Sequence, residues 1–524
     1  MLFLILISVL CPAVYSYNIL GLFTSPMKSH HIVYDSLMTE LARRGHNVTI
    51  YSAVSRSRKH SIPLYHEIDI SACFGKPSEM SNFTRLQSSV YRDFRTISLI
   101  FTVLPSYNQI KNCGPLMELK NTSMKYDVLI AEFFNTDFFF LFGYHLGIPS
   151  IAFHSNALNG YQSDALGLPY TPSYIPNILS GYTSKMNFSQ RLNNAWYFWY
   201  SLYAFTRDSR GKYDAISKEI FGPGTPPLRE VAKNISLMFS YVHFSLNYVR
   251  PMVPNVVEIG GLNIEPSEPL PQNIEKFINE SKHGVVYFCM GSLLRGETFP
   301  PEKREAFLYA FSKIPQRVLW KWEGDVLPGK SDNIMISKWM PQRDILAHPN
   351  VKLFISHGGL LGTSEAVYEG VPVLGIPIFG DQRTNIKSLE ANGAGELLDY
   401  NEISKEVVLE KIQRLLNDPK YKENAKLLSD RYRDRPMSPL DTAVYWTEYV
   451  IRHKGAPHLR TAAADMPWYQ YLLLDVIAFI VAVLVAGLLI IYYTTKFILR
   501  AIYGLICGGG AKKGSSKSDK KKRN

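Results

Sequence analysis

Hydrophobic positions in the first half of the chain switch between two spacings. A short apolar run at 18–23 is typical of a strand, and residues 32–44 then carry apolar side chains at helical spacing until Gly45 ends the pattern. A second strand follows in the sequence HNVTIYSA, and the same order of strand, helix and strand returns across 126–153. This alternation predicts parallel strands with helices packed on the faces of the sheet.

The second half of the chain repeats this pattern more sharply. Apolar runs separated by helical segments predict strands at 285–290, 318–322, 333–337, 351–355 and 371–376. A proline-rich stretch at 250–271 is typical of a hinge between domains. We therefore expect an α/β protein with two Rossmann-like domains and a cleft between them, where ligands bind beyond the carboxyl ends of the strands.

Apolar segments at both ends of the chain predict targeting to a membrane. Residues 1–16 form an apolar run that ends in small residues, as a cleaved secretory signal does. Residues 472–493 are long enough to span a bilayer and have aromatic residues on both sides. The tail at 494–524 contains nine Lys or Arg and one Asp, so it holds +8 of the formal charge of +12. The positive-inside rule then predicts a single-pass type I protein with a cytosolic tail.

The tail also predicts the compartment. Lys521 and Lys522 occupy the fourth and third positions from the end, where a dilysine signal would engage the machinery that returns proteins to the endoplasmic reticulum. The rest of the chain carries only +4, so nucleic-acid binding is not expected. Asn47 belongs to a glycosylation sequon inside a predicted strand, and we expect it to stay unmodified. The other lumenal sequons are at Asn82, Asn121, Asn187, Asn234 and Asn279.

Cysteine usage predicts neither a disulfide scaffold nor a metal site. Cys73, Cys113 and Cys289 are the cysteines expected in the lumen. Cys73 and Cys113 either form a disulfide or remain two free thiols. The sequence contains no CxxC, HExxH or Asp-rich loop, so we expect no bound metal.

Most of the candidate binding residues fall in one stretch of the sequence. Residues 339–382, WMPQRDILAHPNVKLFISHGGLLGTSEAVYEGVPVLGIPIFGDQ, resemble the signature of the UDP-glycosyltransferase family. The resemblance extends to YFCMGS at 287–292, RPMVPNVVEIGGL at 250–262 and SHHIVYDSLMTELARRGHNVT at 29–49. It implies a fold of the GT-B type. The implied parts are an acceptor-binding domain at 17–265, a linker at 266–283, a UDP-sugar-binding domain at 284–450 and a membrane-proximal segment at 451–471.

The HGG turn in this stretch suits a diphosphate. It follows an apolar strand, lets the backbone approach a ligand closely, and leads into a helix whose first N–H groups are free to bind an anion. Leu361 stands where vertebrate and plant members of the family commonly have Asn, whereas invertebrate members often share the Leu. The resemblance assigns the diphosphate to Ser292, His357, Gly359, Gly362 and Thr363, the nucleoside to Trp339, Gln342 and Glu365, and the sugar hydroxyls to Asp381 and Gln382.

Transfer of a sugar to a hydroxyl needs a base, and histidine suits that role near neutral pH. The resemblance places His30 in this role, and His31 is the adjacent alternative. A carboxylate should orient the ring. Glu132 stands in the register of the family's aspartate and is placed first, while Asp137, at the start of the next helix, is kept as the second candidate. The implied reaction is a single inverting displacement that gives a β-glycoside without a metal or a permanently bound cofactor.

The donor and the acceptor follow from the same resemblance. The sequences HGGLLGT and FFNTD are similar to invertebrate members and favour UDP-glucose, with UDP-glucuronate as the alternative donor. The aromatic stretches at 133–147 and 193–205 suit a small lipophilic acceptor. A catalytically silent membrane protein that binds a ligand or a partner is the alternative from another class.

Overall fold

The computed structural model describes residues 16–54, 61–74, 105–292 and 294–507. The chain divides into two compact units, the first ending at Ala464 and the second beginning at Asp465. Most of the predicted signal, Asn82, Lys521 and Lys522 lie outside the described residues.

The first sheet contains seven parallel strands in the order β3-β2-β1-β4-β5-β6-β7. β1 lies between β2 and β4, so the order of the strands reverses between β1 and β4. Ligands of open α/β sheets bind at such a reversal, beyond the carboxyl ends of the two strands. The strands are β1 (Asn18–Phe23), β2 (Asn47–Ser52), β3 (Tyr65–Asp69), β4 (Val128–Glu132), β5 (Ser150–His154), β6 (Leu237–Ser240) and β7 (Val256–Glu258).

The second sheet contains six parallel strands in the order β10-β9-β8-β11-β12-β13. Its order reverses between β8 and β11, which pair directly. The five strands predicted in this half are confirmed, and β13 is an addition. The strands are β8 (Val285–Cys289), β9 (Arg317–Lys321), β10 (Ile334–Ser337), β11 (Val351–Ser356), β12 (Val373–Gly375) and β13 (Gly395–Leu397).

Helices cover the faces of both sheets, and strands such as β4 and β8 are buried along their whole length. Because both faces are covered, these strands are continuous apolar runs. The helices around the first sheet are Lys28–Arg43, Ser71–Phe74, Tyr107–Lys111, Gly114–Lys120, Phe140–Leu146, Gly160–Leu166, Phe188–Ala204, Gly211–Phe221 and Leu228–Lys233. Those that follow in the second half are Gln272–Asn279, Pro301–Ser312, Gln342–Ala347, Leu360–Tyr368, Gln382–Ala391, Lys405–Asn417, Pro419–Arg433 and Pro439–Arg452.

The last helix of this unit, Pro439–Arg452, returns to the first half of the chain. It packs on helix Lys28–Arg43. Glu448 lies 3.2 Å from Nε2 of His46, measured from its Oε1. The bounds implied by the resemblance place this helix in the domain at 284–450, and it also contacts the first half of the chain.

Two further expectations have an outcome in the structure. Cys73 and Cys113 form a disulfide with 5.4 Å between their Cα atoms, which decides between the two alternatives left open above.

In the second unit, helix Leu474–Cys507 is 34 residues long, and its most apolar window has a mean hydropathy of 3.0. It is long and apolar enough to cross a membrane. At about 1.5 Å per residue it spans roughly 51 Å, so it extends well beyond the predicted boundary at 493.

Candidate active site

A cavity of about 930 Å³ lies between the two sheets. It is lined from the first half by residues that follow β1, β4 and β5, and from the second half by residues at the ends of β8 to β12. The cavity therefore meets the carboxyl ends of strands in both sheets. The predicted site residues that line it are His30, Glu132, Ser292, Trp339, Gln342, His357, Gly359, Gly362, Glu365, Asp381 and Gln382.

His30 and Glu132 meet at the strand reversal of the first sheet. Helix Lys28–Arg43 begins earlier than the predicted residue 32, so His30 lies in its first turn rather than in a loop. The Nδ1 atom of His30 is 2.5 Å from Oε1 of Glu132, the last residue of β4. Ser155, just after β5, donates to the same carboxylate oxygen over 2.6 Å. The contact to Glu132 occupies Nδ1, and Nε2 is the atom left to take a proton.

The surroundings of Glu132 keep it charged. Burial alone would raise the pKa of this carboxyl, but the charge of His30 and the hydrogen bonds from His30 and Ser155 outweigh burial, and the net shift is downward. The neighbouring His154 is fully buried, and burial lowers its pKa to about 4, so it is neutral near pH 7. An ionised carboxylate beside His30 can hold the ring in place and stabilise its protonated form.

The two alternative residues lie elsewhere. His31 points toward β2, where its Nδ1 is 3.2 Å from Oγ of Ser52. Asp137 is fully buried and accepts a hydrogen bond from Nε of Arg210 over 2.7 Å. Neither residue lines the cavity. Of the two candidate carboxylates, Glu132 is therefore the one that contacts His30, whereas Asp137 forms a buried ion pair.

The HGG turn presents backbone N–H groups at the start of a helix. Gly359 caps helix Leu360–Tyr368, and its carbonyl accepts from the amide of Thr363 over 3.0 Å. The amides of residues 360–362 precede the first bond within the helix and can bind an anion. A Cβ atom on Gly359 would lie 2.6 Å from Nε2 of His357, so a larger residue would displace the His357 ring. The side chain of Thr363 is fully buried and does not line the cavity, so the structure does not bring it to the predicted diphosphate site.

Lys321, which the sequence analysis did not identify, supplies a positive charge near the HGG turn. It is the last residue of β9, its side chain is 9% exposed, and its Nζ is 3.1 Å from the carbonyl oxygen of Gly291. Burial and the Lys321 charge together lower the pKa of His357 to about 4. His357 is consequently neutral near pH 7 and can donate a hydrogen bond to a phosphate, while Lys321 is the cation.

The predicted nucleoside residues lie together farther along the cavity. Trp339 is 63% exposed on a loop after β10, as an indole must be if a base is to stack on it. Gln342 donates from Nε2 to Oε2 of Glu365 over 2.6 Å. Burial raises the pKa of Glu365 to about 7, although Gln342 and Arg343 oppose that effect.

The predicted sugar residues stand at the start of helix Gln382–Ala391. Oδ2 of Asp381 accepts from Asn385 over 2.6 Å, and burial raises the pKa of this carboxyl despite that bond. Oε1 of Gln382 accepts from the backbone amides of Ile378 and Phe379, at 2.8 and 3.0 Å. Gln382 thus shapes the loop with its oxygen and can reach a sugar only through Nε2. Asn156 after β5, another residue that the sequence analysis missed, also lines the cavity and acts to lower the pKa of Asp381.

The family follows from a comparison with known proteins. The family model described as UDP-glucoronosyl and UDP-glucosyl transferase matches residues 22–508 of this chain, which covers the cavity and both sheets except the first four residues of β1. The chain belongs to this family. It is therefore a UDP-glycosyltransferase, an enzyme that transfers a sugar from a UDP-sugar.

Similar UDP-glycosyltransferases come from insects and mammals. UDP-glycosyltransferase UGT5 of Dactylopius coccus is 59% identical over 505 residues, which cover 95% of each chain. UDP-glucosyltransferase 2 of the same species is 40% identical and covers 100% of this chain and 99% of its own. UDP-glucuronosyltransferase 2B7 of Homo sapiens is 34% identical over 89% of this chain and 90% of its own.

Solved structures show that this UDP-glycosyltransferase has the GT-B fold. The calicheamicin glycosyltransferase CalG4 matches with a TM-score of 0.53 and 16% identity, over 83% of this chain and 99% of its own. The glycotransferase of kitacinnamycin matches with a TM-score of 0.54 and 15% identity, again over 83% and 99%. At this level of identity the likeness concerns the fold.

Glu365 should make nucleoside binding by this UDP-glycosyltransferase depend on pH. With a pKa raised to about 7, its carboxyl is neutral below pH 7 and ionised above it, and the ionised form is the better acceptor for ribose hydroxyls. The affinity for uridine should therefore increase about fivefold from pH 6 to pH 8, on the order of 1 kcal/mol. Calorimetric titration measures this, and uridine is used because the phosphates of UDP would titrate as well. The Glu365→Gln variant should bind equally at both pH values; an unchanged slope would assign the titration to another group.

Proposed function

We propose that this enzyme transfers glucose from UDP-glucose to a hydroxyl of a small lipophilic acceptor and gives a β-glucoside. The observation that carries the proposal is the contact between His30 and Glu132 on the same cavity as the HGG turn and Lys321. A base with its carboxylate partner and an anion-binding helix start are the two parts that such a transfer requires.

The proposed reaction is one displacement with inversion. Glu132 orients the His30 ring through Nδ1, and Nε2 takes the proton of the acceptor hydroxyl. The acceptor oxygen forms a bond to the anomeric carbon as the bond from that carbon to UDP breaks on the opposite face. UDP leaves as an anion that the amides of residues 360–362 and His357 can stabilise, and Lys321, whose charge Glu323 partly offsets, adds to them. UDP-sugar is the co-substrate, and the mechanism uses no metal.

The charges around the cavity favour a neutral hexose over a uronate. Among the described residues that line it, the Lys and Arg side chains are Lys321 and Arg343. Lys321 pairs with Glu323 at 2.5 Å and Arg343 pairs with Glu369 at 2.7 Å. The sugar end instead holds the carboxyl of Asp381. A glucuronate carboxylate placed there would meet like charge without a free cation, which is unfavourable in a partly buried site.

The acceptor side of the cavity combines aromatic and aliphatic side chains with polar ones, and the apolar side chains support a lipophilic acceptor. We assign it to the first domain, proposed at 17–265, and the donor to the domain at 284–450. Within the aromatic stretch at 133–147, Phe134 and Phe139 line the cavity. Phe74, Ile178 and Leu179 are further apolar lining residues.

We further propose that the enzyme is held in the membrane of the endoplasmic reticulum by helix Leu474–Cys507, with its catalytic part in the lumen. The disulfide between Cys73 and Cys113 supports an oxidising compartment. The predicted signal at 1–16 and the dilysine pair Lys521 and Lys522 support entry to and return to this organelle.

Microsomes that express the full chain test the donor. UDP-glucose and UDP-glucuronate are compared in parallel with a panel of phenols, and proton NMR of the product reports the configuration at the anomeric carbon. We expect β-glucosides, and at least tenfold less product with UDP-glucuronate. A preference for UDP-glucuronate would overturn the donor assignment. UDP binding without product from either donor would favour the silent binding protein instead.

A further inference from the structure

Helix Gln382–Ala391 connects the two ends of the donor site. Asn385, in its first turn, donates from Nδ2 to the carboxylate of Asp381 over 2.6 Å and to the carbonyl of Gly358 over 3.0 Å. The same helix start therefore fixes both the proposed sugar-binding carboxylate and the HGG turn. A shift of this helix would move both together.

The same helix start also meets a short segment from the first half of the chain. We call residues 177–181 the wall segment, because Ile178 and Leu179 line the cavity. The first half holds one end of the segment, where the buried side chain of Asn194 accepts from the amide of Asn177 over 2.7 Å. The second half of the chain holds the other end.

Thr384 makes the contact that joins the wall segment to the helix. Its hydroxyl donates to the carbonyl of Ile178 over 2.8 Å and accepts from the amide of Gly181 over 3.1 Å. Thr384 is buried, and so are Ile178 and Gly181. A hydroxyl can satisfy a buried donor and a buried acceptor at once, which an aliphatic side chain cannot do. Two hydrogen bonds, each between residues more than 200 positions apart in sequence, thus depend on a single oxygen atom.

We propose that Thr384 is a positioning residue that fixes the acceptor-side wall relative to the sugar-binding end of the donor site. This inference rests on the proposed function. Thr384 does not line the cavity, and it acts through Ile178 and Leu179 on one side and Asp381 on the other. The wall then holds the acceptor oxygen in line with the bond to UDP and keeps water from that position.

Loss of this contact should change the balance between two reactions. In transfer, the acceptor oxygen bonds to the anomeric carbon and its proton passes to His30. In hydrolysis, water supplies the oxygen and the proton, the same bond to UDP breaks, and the products are glucose and UDP. A wall segment that is no longer fixed misplaces the acceptor and admits water, so hydrolysis gains relative to transfer.

The test compares Thr384→Val with Thr384→Ser in microsomes that express the full chain. Valine keeps the shape and removes both hydrogen bonds, whereas serine keeps the hydroxyl. With Thr384→Val we expect the KM for a phenol acceptor to rise about tenfold and the ratio of released glucose to glucoside to rise several-fold. The KM for UDP-glucose should stay within about twofold, because the donor contacts remain. Thr384→Ser should resemble the wild type.

Ser388→Ala is the matched control. One turn later on the same helix, Ser388 is buried and its hydroxyl donates to the carbonyl of Leu246 in the first half, but Leu246 does not line the cavity. This variant loses a bond of the same kind, and we expect lower thermal stability with unchanged acceptor KM and hydrolysis ratio. Equal kinetic changes in Ser388→Ala and Thr384→Val, or none in Thr384→Val, would overturn the inference. A wild-type chain that forms no glycoside would overturn the proposed function, and the inference with it.

Discussion

Replacement of His30 by alanine should lower kcat for glucoside formation by about 10²–10⁴-fold, the range that a general base supplies. His30 lies in the first turn of its helix, with Nδ1 2.5 Å from Glu132, and it faces the cavity. Without the ring, the neighbouring group on the cavity is Glu132, whose lowered pKa makes it a weaker base than histidine. UDP binding should persist, because the residues proposed to bind it belong to the other half of the chain.

His283→Ala serves as a matched control for this variant. His283 is an exposed histidine outside the cavity, so its loss should leave kcat unchanged. The measurements are initial rates of glucoside formation, calorimetric titration of UDP and thermal unfolding of both variants. A His30→Ala enzyme that keeps more than a tenth of wild-type kcat, with UDP affinity intact, would rule out His30 as the base.

Replacement of Glu132 by glutamine should lower kcat by about 10²-fold or more while the fold stays intact. Glutamine preserves the shape and one oxygen for Ser155, but a neutral amide cannot stabilise the charge that develops on His30 as it takes the proton. The effect should appear in kcat rather than in the KM for UDP-glucose, because the interaction gains strength only as the proton moves. Steady-state kinetics at saturating UDP-glucose measure it.

Asp137→Asn separates the two carboxylates. Its buried partner is Arg210, so this change should leave a buried cation without an ionic partner and lower the free energy of unfolding by roughly 3–5 kcal/mol. The kcat of the fraction that binds UDP should equal that of the wild type. Chemical unfolding and active-site titration with UDP measure the two quantities. A stable Asp137→Asn enzyme with low kcat would make Asp137, and not Glu132, the preferred carboxylate partner of His30.

Much of the fold could be predicted from sequence because strands buried on both faces are continuous apolar runs. Five strands of the second half were predicted in this way. Strands β3, β6 and β7 were missed. β3 is not fully buried, whereas β6 and β7 contain only four and three residues, and β7 lies within the proline-rich stretch. The return of helix Pro439–Arg452 to the first half was also missed, because its partner residues lie about 400 positions away.

The candidate site, like the fold, could be predicted where the signal is local and was missed where it depends on residues distant in sequence. Glycine-rich turns and signature residues such as Trp339 are local signals that sequence reveals. The contact between His30 and Glu132 depends on β1 lying beside β4, across 102 positions, and sequence order does not give that neighbour relation. Lys321 was missed because a lysine at the end of an apolar strand has no distinguishing pattern. Thr363 was assigned through its neighbours in the HGG stretch, but helical periodicity turns its side chain away from the cavity.

The disulfide between Cys73 and Cys113 bears on how this enzyme can change its acceptor. Phe74 and Pro105 both line the cavity, and each lies close in sequence to one cysteine of the pair. The disulfide joins positions just outside those two points, 40 residues apart in sequence. A bridge of this kind keeps the ends of a segment in register whatever residues the segment contains. Substitutions of Phe74 or Pro105 can therefore alter the acceptor pocket while the disulfide holds the neighbouring backbone in place, so β1 and β4 need not change.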